Sequence, residues 1–320
     1  MEKLKCSFTG LGRIASLLED DPLREKPCTH AGAVSLNPGC MIAGGSDTSE
    51  ERRRLFSRRW NCPVFADTGT MLEETKPDIY FIATHPDTHL EMVEKGITHG
   101  VRVIVCEKPA ADTLERARRI ASFHRRGIAK IIINHERRYS QDYIEAKKHI
   151  EQKTFGKLLS VNSFLYMGRR KRIKDVLWHD GTHMADIIMY LTGNRMRNQK
   201  TQGDIMKRRG TVLITAESRG ALINFQAGAG RDHLVFSFEL SFENGLIRIG
   251  NGIYEIQESC ESPFYRGFNS LKSRGNTLFE KTGYFENMLK DAVKAVLEPD
   301  YNPVSTAIDG YLAVKFLSRL

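Results

Sequence analysis

The sequence has few cysteines, and none of them stands at the spacing of a metal or redox motif. The six cysteines, at positions 6, 28, 40, 62, 106 and 260, include no C-x-x-C pair. This scatter argues against both a zinc site and a disulfide framework. We therefore expect reduced thiols, a cytoplasmic protein and no metal.

Long apolar runs are missing too. No segment approaches the roughly 18 uninterrupted apolar residues that a membrane helix needs. The N-terminal stretch MEKLKCSFTG has no long apolar run ahead of a cleavage site, so we expect no secretory signal. Apolar residues make up 41% of the 320 residues and charged residues 27%, as in ordinary soluble proteins of one or two domains.

Acidic residues are the minority among the charges. The chain has 48 Lys and Arg against 39 Asp and Glu, which leaves a formal net charge of +9. The basic residues cluster around 51–60 and 169–174, and no nucleic-acid motif accompanies either run. We therefore expect solvated helix faces and loops there, and no nucleic-acid partner.

Strand and helix patterns alternate through the first half of the chain. Strand patterns cover 3–9, 40–44, 78–83, 101–106 and 130–133, and helical patterns lie between them. Strands that alternate with helices pair in parallel, so we expect a doubly wound α/β sheet over residues 1–138.

The second half changes to a pattern of hairpins. Arg219-Gly220 and Asn244-Gly245 each separate two runs of alternating apolar residues, and Asn-Gly in that setting is a strong hairpin signal. Helical patterns at 142–150 and 180–191 precede the hairpins, and two further helices close the chain. We expect an α+β domain over residues 139–320, built on a mostly antiparallel open sheet.

A glycine motif marks the first junction of strand and helix. Gly10, Gly12 and Ala15 form G-x-G-x-x-A directly after the first strand. The first glycine permits a tight turn, the second lets a pyrophosphate approach the backbone at a helix N-terminus, and the alanine allows close packing. A purely structural turn is the alternative, but the position favours a dinucleotide-binding Rossmann domain over residues 1–138.

A dinucleotide site of this kind also uses an acid after the second strand. Asp47 occupies that place, 35 positions after Gly12, where a spacing of about 20 is usual. We attribute the excess to the stretch 20–38, placed between the first helix and the second strand. A carboxylate there accepts the ribose hydroxyls of NAD and repels the 2′-phosphate of NADP, so we expect NAD, with NADP left open by Arg52 and Arg53. The alternative is an aspartate that only caps the next helix.

Further motifs follow the later strands in order, and together they resemble a known family. They are Ile82-Ala-Thr-His-Pro-Asp-Thr-His89, Glu107-Lys108-Pro109, Asn134 with Arg137-Arg138-Tyr139, Gly156-Lys157-Leu158, and Gly181-x-His183-x-x-Asp186 before Leu191-Thr192-Gly193. This set resembles the glucose–fructose oxidoreductase, inositol dehydrogenase and rhizopine-catabolism (Gfo/Idh/MocA) family over essentially the whole chain. The resemblance implies an NAD(P)-dependent oxidoreductase that moves a hydride between nicotinamide and a ring hydroxyl or carbonyl of a sugar, cyclitol or derivative.

The resemblance also implies roles for particular side chains. Lys108 would face the nicotinamide and hydrogen-bond the substrate oxygen, while Glu107 would hold the lysine or the local backbone. The bond before Pro109 is a candidate for the cis form. His183 would accept the hydroxyl proton, because the pKa of histidine lies near neutrality. Without the resemblance, Lys108 would be interpreted as a surface lysine and His183 as a core histidine.

The helix motif departs from the family pattern at one position. The family commonly has an aspartate four residues before the helix histidine, where this chain has His179, and the acid stands at Asp180 instead. In one arrangement Asp180 faces the cleft and pairs with His183, three residues later. In the other, His179 binds substrate and Asp180 only caps the helix. We favour the first, because a carboxylate can accept a substrate hydroxyl and also raise the pKa of a nearby histidine.

The resemblance thus implies two sets of site residues. The cofactor set is Gly10, Gly12, Arg13, Ile14, Asp47, Thr84, His85, Pro86, His89, Glu107, Lys108, Asn134 and Arg137. The substrate set is Lys108, Tyr166, Arg170, His179, Asp180 and His183, of which Lys108, Asp180 and His183 are catalytic. A phosphate, carboxylate or sugar-nucleotide substrate would give the basic run 169–174 a purpose.

The resemblance further implies a small-molecule sugar or cyclitol as partner, and a homodimer or homotetramer formed through the C-terminal sheet. Two other functions stay open. One is a family member that uses bound NAD for transient oxidation, as NAD-dependent glycosidases do. The other is a non-catalytic sensor that keeps the cofactor fold and binds a regulatory partner, against which Lys108 and His183 argue.

Overall fold

The structure is a computed structural model that describes residues 2–168, 171–193, 195–277, 279 and 281–320. The strands, in chain order, are β1 Leu4–Thr9, β2 Cys40–Ser46, β3 Val64–Phe65, β4 Ile79–Ile82, β5 Val103–Cys106, β6 Lys130–Ile133, β7 Leu158–Tyr166, β8 Arg197–Gln202, β9 Gly210–Ser218, β10 Ala221–Ala229, β11 Val235–Phe242, β12 Gly245–Gly250, β13 Ile253–Glu261 and β14 Asn269–Asn276. The α-helices are α1 His30–Leu36, α2 Glu50–Trp60, α3 Thr68–Thr75, α4 His89–Thr98, α5 Leu114–Arg125, α6 Gln141–Gln152, α7 Ile173–His179, α8 Gly181–Thr192, α9 Tyr284–Leu297 and α10 Ala307–Leu317. Short 3-10 helices cover Leu17–Asp20 and Glu136–Tyr139.

The chain divides into two compact units. The first consists of Met1–Tyr139 with Gly283–Lys315, and the second of Ser140–Thr282 with Phe316–Leu320. The expectation that all of 139–320 forms the second domain therefore needs a correction, because residues 283–315 return to the first unit. The apolar side of α9 explains the return, since Phe285 and Met288 are buried in the same core as the strands of that unit.

The first unit is built on a six-stranded sheet in the order β3-β2-β1-β4-β5-β6. Every neighbouring pair in it is parallel, which confirms the predicted doubly wound sheet. All four residues of β4 and of β5 are buried, as strands covered on both faces require. The order reverses between β1 and β4, so a crevice for a ligand is expected at the carboxyl ends of these strands.

The second unit is built on an eight-stranded sheet in the order β14-β13-β12-β11-β7-β10-β9-β8. β7 and β10 pair in parallel, and the other neighbours pair antiparallel, which confirms the mostly antiparallel sheet. Both predicted hairpins are present. In the β9–β10 turn, Arg219 has φ 50° and Gly220 has φ 84°, the left-handed pair that a type I′ turn needs.

The sequence patterns missed several elements of the fold. β8 and β14, with sequences RNQKTQ and NSLKSRGN, lack the apolar alternation on which the strand predictions depended. α3 and α7 have eight and seven residues, too few for a clear helical period. None of the described helices is long and apolar enough to span a membrane.

Candidate functional site

The glycine turn after β1 packs closely against the end of β4. Gly10 has φ 82°, and a Cβ built on it would lie 2.6 Å from the carbonyl oxygen of Ala83. A side chain there would be strained and would collide with backbone, so this position requires glycine. A Cβ built on Gly12 would have room, with Nη1 of Arg52 3.9 Å away. The missing side chain of Gly12 therefore leaves its backbone open to a ligand.

The helix expected after this turn is interrupted. The carbonyl of Gly12 accepts a hydrogen bond from the N–H of Ser16 at 3.1 Å, which closes one turn. The chain then leaves the helical path and returns in α1, where the N–H of His30 donates to the carbonyl of Ile14 at 3.2 Å. In an uninterrupted α-helix that carbonyl would receive the N–H of residue 18. The residues that lengthen the spacing between Gly12 and Asp47 thus lie inside the helix. The expectation that they follow the helix, at 20–38, is corrected.

The inserted segment, residues 18–29, is fastened to the start of α1. The Oε1 atom of Glu19 accepts hydrogen bonds from the backbone N–H of Cys28 at 2.8 Å and from the hydroxyl of Thr29 at 2.9 Å. Thr29 is the N-cap of α1, and its hydroxyl oxygen accepts from the N–H of Gly32 at 3.0 Å. A Cβ on Gly32 would collide with the Glu19 carboxylate, so this glycine makes room for the contact.

Asp47 follows β2 directly, and its carboxylate reaches the glycine turn. Oδ2 accepts from the N–H of Leu11 at 2.8 Å, and Oδ1 accepts from the N–H of Ser49 at 2.8 Å. The N-cap of α2 is Ser49, whose side chain accepts from the N–H of Arg52, so Asp47 is not the capping residue. Each carboxylate oxygen keeps a second lone pair that a ligand hydroxyl can use.

Two arginines border this carboxylate in different ways. Nη1 of Arg53 donates to the backbone carbonyls of Asp47 and Thr48, at 2.7 and 3.1 Å, and so holds the loop. Nη1 of Arg52 lies 3.7 Å from Oδ2 of Asp47, and its side chain is 50% exposed. Arg52 is therefore better placed than Arg53 to reach an added phosphate.

The loop between β4 and α4 places its residues unequally. Thr84 and Pro86 are half-buried and His85 is exposed, so these three are accessible from the carboxyl edge of the sheet. His89 is fully buried, with Nδ1 3.0 Å from the carbonyl oxygen of Pro109 and Nε2 3.2 Å from that of Thr84. Burial lowers the pKa of His89. His89 thus ties the loop to the segment after β5 and does not present its ring to a cofactor, contrary to the expectation.

The acid of the Glu107-Lys108-Pro109 motif points inward. Oε1 of Glu107 lies 2.8 Å from Nε2 of His30 and 2.7 Å from Nδ2 of Asn134. Oε2 accepts from the backbone N–H of Lys108 at 3.3 Å. Burial by itself would raise the pKa of Glu107. The hydrogen bond and charge of His30, the hydrogen bond from Asn134 and the charge of Lys108 together outweigh burial, so the pKa is lowered.

Lys108 is half-buried at the carboxyl end of β5. The Lys108–Pro109 peptide bond is cis, which is the form considered from the sequence. Both neighbours of Lys108 are fastened, Glu107 through its carboxylate and Pro109 through the ring of His89. This arrangement fixes the backbone from which the lysine side chain departs.

Asn134 closes the edge at the end of β6. Its side chain is buried, and among the described residues no donor reaches its Oδ1 atom. A buried amide oxygen of this kind is an acceptor that a ligand can satisfy. Arg137 follows, half-buried in the 3-10 helix, whereas its neighbour Arg138 is buried in an ion pair with Asp309 at 3.1 Å.

His30 was not expected at this edge. Its ring is buried between Phe81 and Phe285, with ring centroids 5.2 and 5.1 Å apart. In the hydrogen-bond register of α1, His30 takes the place that a residue three positions after Ala15 would have in an uninterrupted helix. The inserted segment separates His30 from the glycine motif in sequence. A helix interrupted in this way shows no 3.6-residue period in the sequence, so pattern reasoning could not find it.

In the second unit, a separate helix precedes the helix predicted over 180–191. α7 ends at His179 and α8 begins at Gly181, with Asp180 between them. Asp180 makes no side-chain capping bond to α8, and its Oδ1 lies 3.0 Å from Nδ1 of His179. The side chain of His179 is 64% exposed and that of Asp180 is 17% exposed. The arrangement in which Asp180 serves only as a cap is therefore not supported.

His183 lies in the first turn of α8 and is buried. Its backbone N–H donates to the carbonyl of Asp180 at 3.1 Å. Its ring meets Phe236 of β11 edge-on, with centroids 6.5 Å apart and an interplanar angle of 81°. Since Phe236 is a core residue, the histidine sits over the helix-covered face of the sheet. Pairing between the side chains of Asp180 and His183 stays a prediction.

Tyr166 lies on the other face of that sheet. It follows the buried Leu165, and side chains alternate between the two faces along a strand. Its hydroxyl donates to Oε1 of Gln226 at 2.8 Å, and the guanidinium of Arg231 lies 4.0 Å from its ring centroid. The expectation that Tyr166 and His183 line one substrate site is therefore corrected.

The basic run 169–174 is described only in part. Arg170, one of the expected substrate residues, lies outside the described residues. Arg172 forms an ion pair with Asp175 at 3.0 Å at the start of α7, and Lys174 is exposed. The described part of the run therefore has the character of a solvated helix start.

A surface cavity of about 330 Å³ lies elsewhere in the first unit. Its lining includes Asp78, Arg102 and Lys130, which stand at the amino ends of β4, β5 and β6. This edge is opposite the one that carries the glycine turn, so the cavity is separate from the candidate site. No group of three or more His, Cys, Asp or Glu is placed to hold a metal within the described ranges.

Comparison with known proteins assigns the first unit. Residues 4–135 match the family model GFO_IDH_MocA, described as "Oxidoreductase family, NAD-binding Rossmann fold". An uncharacterized oxidoreductase of Schizosaccharomyces pombe is 27% identical over 160 residues, which cover 50% of this chain and 42% of that protein. Inositol 2-dehydrogenase 2 of Saccharopolyspora erythraea is 24% identical over 212 residues, which cover 61% of this chain and 62% of that protein. The chain thus spans less than two thirds of the length of these relatives.

Solved structures share the fold of the whole chain. A dehydrogenase from Chromobacterium violaceum superposes with a TM-score of 0.81 at 16% identity, covering 100% of this chain and 94% of that one. UDP-N-acetylglucosamine 3-dehydrogenase GnnA from Acidithiobacillus ferrooxidans superposes with a TM-score of 0.77 at 16% identity, covering 100% and 97%. Identities this low show the fold alone. The parallel sheet and its glycine turn agree with the matched family model: residues 4–135 are similar to the NAD-binding Rossmann domain of the Gfo/Idh/MocA oxidoreductase family.

Proposed function

We propose that this protein is an NAD(P)-dependent oxidoreductase that transfers a hydride between nicotinamide and a ring hydroxyl or carbonyl of a sugar, cyclitol or related polyol. The observation that carries the proposal is the carboxyl edge of the parallel sheet, where the glycine turn, Asp47 and Lys108 follow β1, β2 and β5. A relative named inositol 2-dehydrogenase supports a polyol as the substrate class.

The residues at this edge fit a dinucleotide. Gly12 leaves its backbone open, Asp47 keeps lone pairs for ribose hydroxyls, and Asn134 holds a buried amide oxygen that no described donor reaches. A bound nicotinamide would accept or supply the hydride, while the protein orients the reactants and moves the proton. We propose NAD as the cofactor, because the Asp47 carboxylate disfavours a 2′-phosphate, with NADP as the alternative through Arg52.

Lys108 is proposed to hold the substrate oxygen. A half-buried ammonium on a fixed backbone donates hydrogen bonds to a hydroxyl or carbonyl oxygen and stabilises the charge that develops there. The support for this role is the anchoring of both neighbours of Lys108, which limits the positions that its side chain can reach.

His183 is proposed to take the proton of the substrate hydroxyl, with the Asp180 carboxylate as its proposed partner. An imidazole titrates near neutrality and can therefore accept the proton as the hydride leaves the same carbon. The burial of His183 and its edge-on contact with Phe236 support the role, because they limit the orientations open to the ring.

Lys108→Ala tests the proposal. The variant should fold and bind NAD like the wild type, because the dinucleotide is held mainly by the glycine turn and Asp47. Its turnover should fall by about 10²-fold or more, the usual scale of a lost acid–base or oxygen-binding group. The measurement is the absorbance of reduced nicotinamide across a panel of polyols and sugars with NAD and with NADP.

The matched control is Lys95→Ala, which removes a lysine that pairs with Glu91 at 3.1 Å on the surface of α4. The control should keep wild-type turnover. Near-normal turnover of Lys108→Ala would remove Lys108 from the mechanism. Cofactor binding without turnover of any polyol would instead favour the sensor, and glycoside hydrolysis without net change in absorbance would favour the glycosidase type.

We also propose that the chain assembles into a homodimer or homotetramer through the face of the second sheet that carries Tyr166. Leu222 lies on that face with 49% exposure, beside a hydrogen bond between Asn224 and Asn162 of 2.9 Å. Light scattering of the wild type and of Leu222→Arg tests this assembly. A wild-type monomer would contradict it.

A further inference from the structure

We infer that His30 is a positioning residue for the proposed reaction: through the carboxylate of Glu107, it sets the place of Lys108. The inference rests on the role proposed for Lys108. It adds a residue that none of the sequence motifs includes, from a helix that precedes Lys108 by more than 70 positions.

A continuous set of short contacts links the two residues. Nε2 of His30 lies 2.8 Å from Oε1 of Glu107, and Oε2 of the same carboxylate accepts from the backbone N–H of Lys108 at 3.3 Å. Asn134 donates to Oε1 at 2.7 Å from the far side. One carboxylate therefore receives a donor from α1, one from the end of β6 and one from the backbone of Lys108.

The ring of His30 is packed in an orientation in which Nε2 contacts this carboxylate. It is 1% exposed, and it packs against Phe81 and edge-on against Phe285. Its second nitrogen, Nδ1, has no hydrogen-bond partner among the described residues. The packing thus fixes the orientation of the ring, and the bonded nitrogen points to Glu107.

Several titratable groups face the Glu107 carboxylate. They are His30 from α1, Lys108 beside it, Cys106 at the end of β5 and His89 from α4. The pKa of Cys106 is raised by burial and by the charge of Glu107, so its thiol stays neutral. The pKa of His89 is lowered by burial, so it adds little positive charge. Of the two histidines, His30 is the one that makes a short contact with the carboxylate.

Loss of the His30 donor should loosen the anchor of Lys108. A buried carboxylate that keeps fewer donors takes up a proton more readily and accepts hydrogen bonds less strongly. The backbone of Lys108 would then lose part of its hold on Oε2. A displacement of about 1 Å at a reacting group can lower turnover by about 10²-fold.

A double-mutant cycle tests the inference. The variants are His30→Phe, which keeps a packed ring without the donor, Glu107→Gln, and the double variant. His30→Gln restores a side-chain donor, and Leu289→Ala is the control that removes a buried apolar side chain of α9 from the same core. Each variant is assayed for kcat, for the dissociation constant of NAD and for the thermal midpoint of unfolding.

His30→Phe should lower kcat by about tenfold or more while the dissociation constant of NAD stays within about twofold. In the Glu107→Gln background the same replacement should change kcat by less than about twofold, because the carboxylate through which it acts is gone. His30→Gln should recover most of the loss, and Leu289→Ala should lower only the midpoint of unfolding. Equal fold losses in both backgrounds, or a loss of kcat in Leu289→Ala as large as in His30→Phe, would overturn the inference.

A second readout does not depend on turnover. The rate at which an amine reagent labels Lys108, followed by mass spectrometry, reports the environment of its side chain. His30→Phe should change that rate in the wild-type background and leave it unchanged in the Glu107→Gln background. If no polyol is turned over by the wild type, the proposed function fails, and the labelling cycle alone still decides whether His30 positions Lys108. An unchanged labelling rate in both backgrounds would then refute it.

Discussion

Replacing Asp47 by Asn should move the cofactor preference from NAD toward NADP. The carboxylate lies at the end of β2 with one lone pair on each oxygen already used by the N–H groups of Leu11 and Ser49. The remaining lone pairs would accept the ribose hydroxyls of NAD. A hydrogen bond to a charged group contributes about 1.5–3 kcal/mol. At about 1.4 kcal/mol per tenfold, its loss corresponds to roughly 10- to 150-fold weaker NAD binding.

The same replacement has a structural cost that the assay must separate. Asparagine has one acceptor oxygen where aspartate has two, so either Leu11 or Ser49 loses the acceptor of its N–H. A buried donor left unsatisfied costs about 1–3 kcal/mol of stability. The thermal midpoint of each variant is therefore measured beside the dissociation constants, and the NAD and NADP constants are compared within one variant, where a general loosening of the turn cancels.

Arg52 is the residue expected to bind the 2′-phosphate of NADP in this variant. Its guanidinium lies 3.7 Å from the Asp47 carboxylate, so it is positioned to bind a 2′-phosphate once that carboxylate is neutralised. Arg52→Ala in the Asp47→Asn background should abolish the gain in NADP binding, and added salt should weaken that gain because the side chain is half exposed. Arg54→Ala, an exposed arginine on the same helix, is the matched control and should leave both constants unchanged. Tighter binding of NADP than of NAD by the wild type would refute the reasoning.

Three further predictions follow from the geometry. Asp180→Ala should lower turnover and move the pH–rate profile to lower pH, because loss of a carboxylate lowers the pKa of a nearby histidine. His179→Ala should change neither turnover nor the pH–rate profile. If His179→Ala lowers turnover and Asp180→Ala does not, His179 is the substrate ligand. Glu107→Gln should make the stability of the protein less dependent on pH in the acid range. The pKa of Glu107 is lowered in the folded protein. The stabilisation from its carboxylate is therefore present above the unfolded-state pKa of about 4.3 and is lost as the pH falls through the folded-state pKa. Thermal midpoints across this pH range measure the effect, and parallel curves for variant and wild type would contradict it. Deleting residues 18–29 should leave a folded protein that still binds NAD, because α1 already continues the register of the interrupted helix; unfolding of the deletion variant would show that the segment is needed.

The features predicted well from the sequence depend on short stretches of chain. The parallel sheet followed from the alternation of strands and helices, and the turn at Asn244-Gly245 followed from one dipeptide between apolar runs. The placement of Asp47 after β2 was also predictable, because the apolar run that predicts the strand ends a few residues before it. Each of these predictions needs only neighbours in sequence.

The features that were missed depend on partners distant in sequence. The inserted segment separates His30 in sequence from the helical turn that it continues. The buried position of His89 depends on the carbonyl of Pro109, which lies 20 positions away. The face on which Tyr166 lies depends on the pleat register of β7 within its sheet, which no local pattern reports. The return of α9 to the first unit depends on which of two cores its apolar side meets.

The interrupted helix joins the two ends of the candidate cofactor site. Its first turn contains Gly12, whose backbone is open to a ligand, and its continuation carries His30, which holds Glu107 77 positions later. Because the N–H of His30 donates to the carbonyl of Ile14, the glycine turn and the anchor of Lys108 belong to one hydrogen-bonded segment. A dinucleotide that orders the glycine turn would therefore also steady the residue that fastens Lys108. This connection gives a physical reason for the helix to keep its register across twelve inserted residues.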